Sequence, residues 1–268
     1  MNIKMRGLSG YHIMIVSKYF KTINDFINLE LVCKKFERNM EKFHFNPIPL
    51  NSKTLGYFPN IETLHLWNKE DENFGNEFMT NTEENKVVLK KEFFRIIVWF
   101  NVEFETVDRN KSPNIEFENV TYTQNDSEIF GNNIPSSITS ISEYCFDGCN
   151  SLSSVNIPFG VTSIGDWCFN ECINLRSVTI PSSVKSIGYG CFRKCSSLIS
   201  ITIPSSVTSI GNYCFYGCSC LSSITIPLSV TSIGYGLEYR EKSLRREILL
   251  RIVIGQKIML LLLLKHKK

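Results

Sequence analysis

No alanine occurs anywhere in the 268 residues. Asparagine, lysine, isoleucine and phenylalanine are common instead, all with AT-rich codons, which bears on the source genome and not on mechanism. No secretory leader is expected from the first residues either. Lys4, Arg6, His12 and Lys18 interrupt the apolar stretches of residues 1–19, so no h-region forms. The expected location is therefore the cytoplasm, where cysteines usually remain thiols, with the cell surface or a membrane as the alternative. The unbroken apolar run at 258–264 falls far short of the roughly 20 residues that span a bilayer. Histidines are scarce: His12, His44, His65 and His266 lie apart, and none shares a motif with a cysteine or serine and an acid. No glycine loop is spaced to cradle a phosphate. Nucleophilic, acid–base and nucleotide chemistry are left without residues to carry them, so neither an enzyme nor a cofactor is expected. The net charge of +3 conceals a polarity. Residues 237–268 hold nine Lys and Arg against three Glu (9 − 3 = +6), leaving −3 for the rest (3 − 6). The middle of the chain is nearly neutral, and the basic face that a nucleic-acid partner requires is missing.

What is present is repetition. Pro135, Pro158, Pro181, Pro204 and Pro227 are 23 residues apart, as are Cys145, Cys168, Cys191 and Cys214, each followed by Phe146, Phe169, Phe192 or Phe215. A fixed period of roughly 20–29 residues is the signature of a leucine-rich repeat solenoid. Units open on L-x-x-[VI]-x-I at Leu152, Leu175, Leu198 and Leu221. Residues two apart share a strand face, so Leu152, Val155 and Ile157 turn inward while Ser154 and Asn156 meet water. The proline ends strand pairing. Residues 161–165 read as a second extended segment across the coil. Its glycine recurs as Gly165, Gly188, Gly211 and Gly234, with Ser142 in the first unit, and a turn favouring φ > 0 would explain it. The phenylalanine is large enough to fill each coil. Coils stack about 4.8 Å apart, and neighbours must cover one another's apolar faces. Four complete units and the start of a fifth exceed the minimum of about three.

The motif I-P-x-S-V-T-S-I-G-x-x-C-F-x-x-C-x-x-L-x-S-[VI]-x-I, repeated over 134–236, resembles the BspA-type leucine-rich repeat family. That family more often has alanine where this chain has Cys145, Cys168, Cys191 and Cys214, and both residues are small enough to bury. The resemblance implies an α/β solenoid with a parallel sheet, protein-binding or adhesive function without catalysis, and an origin among protists, where such proteins abound. The boundaries expected are a helical segment at 1–48, irregular leading coils and a loop at 49–130, the solenoid at 131–236 and a basic, hydrophobic tail at 237–268.

Eight cysteines form C-x-x-x-C pairs, from Cys145/Cys149 to Cys214/Cys218, while Cys33 and Cys220 stand outside the register. Thiols on stacked coils would form a line, which does not suit a zinc tetrahedron with bonds of about 2.3 Å. Disulfides tolerate Cα separations of roughly 4.4–6.8 Å, but ladder side chains point in parallel. Two columns of small buried thiols are the favoured reading.

The polar strand positions form two rows: Ser154/Asn156, Ser177/Thr179, Ser200/Thr202 and Ser223/Thr225. Solenoids commonly bind partners on such a surface, and these eight residues are the candidate site. Equally, Thr simply suits an exposed sheet.

The N-terminal third differs. Ile13, Ile15, Val16, Tyr19 and Phe20 recur at helical spacing. A second helix is expected from an Asn24–Asp25 start signal, with an apolar stripe at Phe26, Leu29, Val32, Cys33 and Phe36. The pattern L-x-L-V-C-K-x-[FW] at Leu29, Leu31, Val32, Cys33, Lys34 and Phe36 resembles the second half of an F-box, although the usual Leu-Pro opening is missing. That resemblance implies docking onto a Skp1-like adaptor of ubiquitin ligation through Leu29, Leu31, Val32 and Phe36. The alternative is a helical cap over the open end of the solenoid. Further on, 58–67 reads as an isolated repeat strand, 68–86 as a loop and 93–107 as one or two strands. After Gly236 the repeat stops abruptly. The tail is a cap, a membrane-surface helix or a frame-shifted end. A protein scaffold, a ubiquitin-ligase adaptor and a surface adhesin remain open as functions.

Overall fold

The computed structural model describes residues 15–32, 34–76, 90–110, 112–222 and 224–236. The expectations for Leu8–Ser9, Ile13, Cys33, Ser223, part of the 68–86 loop and the tail after Gly236 lie outside the described residues. The chain divides into two compact units, Met1–Val102 with Thr106–Asn119, and Glu103–Glu105 with Val120–Lys268.

In the first unit a helix spans Ile23–Val32. Thr22, two residues before the expected signal at Asn24, begins it: Asp25 Oδ2 accepts from the Thr22 N–H at 2.9 Å and from its hydroxyl at 2.9 Å. These bonds, the backbone one foremost, lower the Asp25 pKa, and they satisfy donors that a helix start leaves open. Phe26 is fully buried, edge-on to Phe20, Phe43 and Phe58 with centroids 5.1, 5.8 and 5.2 Å away. The expected stripe does not continue. A 3-10 turn at Lys34–Phe36 breaks the helical period, Leu29 and Phe36 are half-buried, and Leu31 and Val32 are 79% and 76% exposed.

Three parallel strands follow, Thr63–Leu66, Arg95–Val98 and Ile115–Phe117, with Leu64, Ile96 and Ile115 in register. The isolated repeat strand expected within 58–67 is thus present. The 93–107 alternation is a strand only in its first part, with a two-residue strand at Val102–Glu103, because a helix begins at Phe104 and runs to Arg109. The Phe104 ring packs edge-on to Phe130 at 5.0 Å, and the Glu105 N–H donates to Asp126 Oδ1 at 2.9 Å. Those contacts take up residues that alternation alone assigns to a strand.

The second unit is the solenoid, with coils repeating every 23 residues. One sheet holds Ser154–Asn156, Ser177–Thr179 and Ser200–Thr202, parallel and in register, with Thr225 bridged to Thr202. A second parallel sheet runs through Val120–Tyr122, Ser140–Ile141, Ser163–Ile164, Ser186–Ile187, Ser209–Ile210 and Ser232–Ile233. The solenoid therefore starts before the first complete repeat motif. Its first coil hides the pattern by inserting the helix Gln124–Phe130, held by a capping box between Thr123 and Asp126. The core is one turn of chemistry repeated. Leu152, Val155, Ile157, Val161, Ile164, Cys168 and Phe169 are all buried. Phe146, Phe169, Phe192 and Phe215 stack face to face at 5.2, 5.3 and 5.7 Å, within 4° of parallel. Each repeat proline carbonyl accepts a bond from the residue three on, Ile138 at Pro135 and valine in the later coils, as in Val161 to Pro158 at 3.1 Å.

Candidate functional site

The strand-face rows lie where alternation puts them. Ser154, Asn156, Ser177, Thr179, Ser200, Thr202 and Thr225 are exposed, flanking buried Val155, Val178, Ile201 and Ile224. Among the described residues their side chains make no hydrogen bond within the chain. Other hydroxyl rows of the coil do bond internally. Ser183, Ser206 and Ser229 donate to the carbonyls of Val161, Val184 and Val207 at 2.6, 2.8 and 2.8 Å. Thr162, Thr208 and Thr231 donate to carbonyls of the preceding coil at 3.2–3.3 Å. Two kinds of hydroxyl row thus coexist. One staples coils together, and the other leaves its donors and acceptors to water or a partner.

Seven thiols stay inside, while Cys149 is half-buried and Cys220 exposed. The nine cysteines among the described residues are free. In the second column Cys172, Cys195 and Cys218 donate to the carbonyls of Phe146, Phe169 and Phe192, each at 3.0 Å, so the thiol ties adjacent coils. Burial pushes the thiols of Cys145, Cys168, Cys191, Cys195 and Cys214 far up, and that of Cys172 to about 12. Thiolate is the reactive form, and these groups do not supply it near neutral pH. No three His, Cys, Asp or Glu side chains among the described residues converge as metal ligands.

The recurrent glycine is not explained by φ > 0. Gly165, Gly188, Gly211 and Gly234 lie outside the left-handed region. A Cβ at Gly188 or Gly211 would stand 2.6 Å from the carbonyl of the glycine one coil earlier. Close approach of backbones demands glycine here. The left-handed positions lie elsewhere, in two columns that periodicity did not reveal. Tyr144, Trp167, Gly190, Tyr213 and Gly236 form one, and Gly148, Glu171, Lys194 and Gly217 the other, with φ between 55° and 87°. Non-glycine residues there cost roughly 1–2 kcal/mol each. Glu171 and Lys194, on neighbouring coils, form an ion pair at 2.5 Å, and the pairing holds the Glu171 carboxyl below its usual range. The available signal was glycine alternating with large residues at fixed offsets before and after the Cys-Phe pair.

In the first unit His65 Nδ1 accepts from the Trp99 indole at 3.3 Å. Burial foremost, and Arg95 after it, lower its pKa, so the imidazole is a neutral structural acceptor. No helix among the described residues is long and apolar enough to cross a membrane.

The parallel sheets, the coil period and the stacked phenylalanines define a leucine-rich repeat solenoid. Residues 115–245 match the profile of the BspA type leucine rich repeat region in six copies. Similar solved structures include the T. pallidum Leucine Rich Repeat protein TpLRR, 29% identical over 44% of this chain and 53% of its own, with a TM-score of 0.38. A leucine rich cell surface protein from Faecalibacterium prausnitzii A2-165 is 32% identical over 41% of this chain and 32% of its own, with a TM-score of 0.36. A leucine-rich repeat protein from Bacteroides ovatus ATCC 8483 is 20% identical over 68% of this chain and 48% of its own, with a TM-score of 0.33. The chain spans about half the length of the first of these and about a third of the second. No curated protein sequence matches it.

Proposed function

We propose that the protein is a non-catalytic protein-interaction scaffold that engages its partner through the strand face of the solenoid. The observation that carries this reading is the exposed and, among the described residues, unpartnered state of Ser154, Asn156, Ser177, Thr179, Ser200, Thr202 and Thr225, where the rows of Ser183, Ser206 and Ser229 and of Thr162, Thr208 and Thr231 are bonded internally. The rows are uncharged, so a partner with short polar side chains or exposed backbone suits them better than nucleic acid. Photo-crosslinking tests the reading. A benzoylphenylalanine at Thr179 is expected to capture a partner from native extract, and the same group at Thr208, just before a strand of the second sheet, is not. Equal capture at both positions contradicts it.

A second reading rests on the exposure of Leu31 and Val32, two apolar residues that the F-box-like pattern assigns to adaptor docking. Leu29 and Phe36 are half-buried and would contribute only their edges. In this reading a Skp1-like adaptor holds the N-terminal helix and the solenoid holds the substrate. Leu31→Asp with Val32→Asp should abolish recovery of a Skp1-like protein by the full chain; no recovery by the unaltered chain removes the reading.

A further inference from the structure

The left-handed turns carry a row of aromatic rings. Tyr144 and Trp167 lie nearly parallel with centroids 6.4 Å apart, Trp167 and Tyr189 are 4.8 Å apart, and Tyr189 and Tyr213 are 5.6 Å apart. The Arg193 guanidinium lies over Trp167 at 5.5 Å and over Tyr216 at 5.7 Å. Three of these rings occupy positions with φ near 55°, where glycine is the easier residue. In the third coil the left-handed residue is Gly190, where a Cβ would meet the Trp167 ring at 2.5 Å. That coil supplies its ring from Tyr189, one residue earlier. The row persists although the residue that carries it moves. It also reaches water: Tyr144 is 42% and Tyr213 39% exposed.

The chemistry left on this ridge is selective. Its backbone donors are engaged with the next coil: Tyr144 N–H with the Asp166 carbonyl at 3.0 Å, Trp167 with Tyr189 at 2.7 Å and Gly190 with Asn212 at 2.8 Å. A strand therefore gains no ladder by adding here. Among the described residues the hydroxyls of Tyr144, Tyr189 and Tyr213 and the Trp167 indole N–H have no partner within the chain. The ridge thus offers partly exposed aromatic rings, most open at Tyr144 and Tyr213, and hydrogen-bond donors. Proline-rich backbone in polyproline II form has flat apolar rings, free carbonyl acceptors and no proline N–H. Its period of about 9.3 Å for three residues is close to the about 9.6 Å spanned by two coils, so rings on alternate coils meet the same side of the ligand. Exposed Glu143, Asp147 and Asp166 stand on the first two coils and Arg193 on the third. The ridge is acidic at one end, which favours a basic side chain there.

We propose that the ridge of Tyr144, Trp167, Tyr189 and Tyr213 docks a proline-rich segment in polyproline II conformation with a basic residue beside its proline run. This goes beyond the strand-face reading and uses a different surface. The test is titration of the full chain with a synthetic oligoproline ending in arginine, followed by tryptophan fluorescence and calorimetry. Saturable binding is expected. Tyr144→Ser and Tyr213→Ser should each weaken it about tenfold without altering the far-ultraviolet dichroism. Glu143→Gln should erase the preference for the arginine-ended peptide over plain oligoproline. Absence of saturable binding by the unaltered chain, unchanged affinity of both tyrosine variants, or saturable binding of a cello-oligosaccharide in place of the peptide overturns the proposal. Crosslinking at Thr179 reads out the strand face independently, so failure of either leaves the other intact.

Discussion

A methyl group at Gly188 would press on the carbonyl of Gly165 at 2.6 Å, and at Gly211 on that of Gly188 at the same distance. Neither neighbour is a flexible side-chain end; both are backbone in a stacked coil. Gly188→Ala is therefore expected to destabilise the solenoid by about 1–3 kcal/mol, the usual range for overpacking. Gly148→Ala provides the contrast. Its φ is 65° but open space surrounds its Cβ position, so only backbone strain of roughly 1–2 kcal/mol applies. Chemical denaturation of the two variants checks the difference: Gly188→Ala should also disturb the coil spacing, and Gly148→Ala should not. The reverse order would mean that conformation, not proximity, selects the recurrent glycine. Periodicity exposed these glycines but not their reason. Contact between coils is a three-dimensional fact, and a one-dimensional repeat shows only that a position is constrained. The strand-face residues were legible for the opposite reason. Alternation of Leu152, Val155 and Ile157 with Ser154 and Asn156 encodes direction within a single strand. The left-handed aromatic residues were not legible, because Tyr144, Trp167 and Tyr213 violate the preference that would have announced them.

A single coil is a closed circuit of apolar residues crossed by two thiols, and the thiols give it a pH dependence. Burial raises the pKa of Cys145, Cys168, Cys172, Cys191, Cys195 and Cys214 above the ordinary thiol value. The folded form therefore binds more protons than the unfolded form once pH passes the unfolded thiol pKa near 8.5. The stability they contribute is fully present below about pH 8.5 and falls as pH rises toward the folded values. Each fully buried thiol costs up to about 1.4 kcal/mol per pH unit in that window. Six acting together rival the whole stability of a typical domain, about 5–15 kcal/mol, within one to two units. Under reducing conditions the protein is expected to unfold steeply between about pH 9 and 11. Cys168→Ala with Cys191→Ala should flatten the slope by about a third. A flat stability profile up to about pH 10 would show that the columns admit water. At this same scale the helix Gln124–Phe130 concealed the first coil, because an insertion interrupts the period while the strands on either side keep their register.

Repetition makes most of the solenoid interchangeable. Coils that stack on identical neighbours must carry identical cores, so the core describes folding and leaves function to the outer rows and turns. Of the outer rows, those that staple coil to coil are already occupied. The strand face stands free, and the central claim is that a partner is held there. Affinity capture with the full chain tests it most directly, comparing the parent with Thr179→Arg plus Thr202→Arg. Both positions are exposed and leave the core untouched. The double variant is expected to keep the parent's circular dichroism and lose the partner crosslinked from Thr179. Recovery of that partner at undiminished yield would contradict the claim.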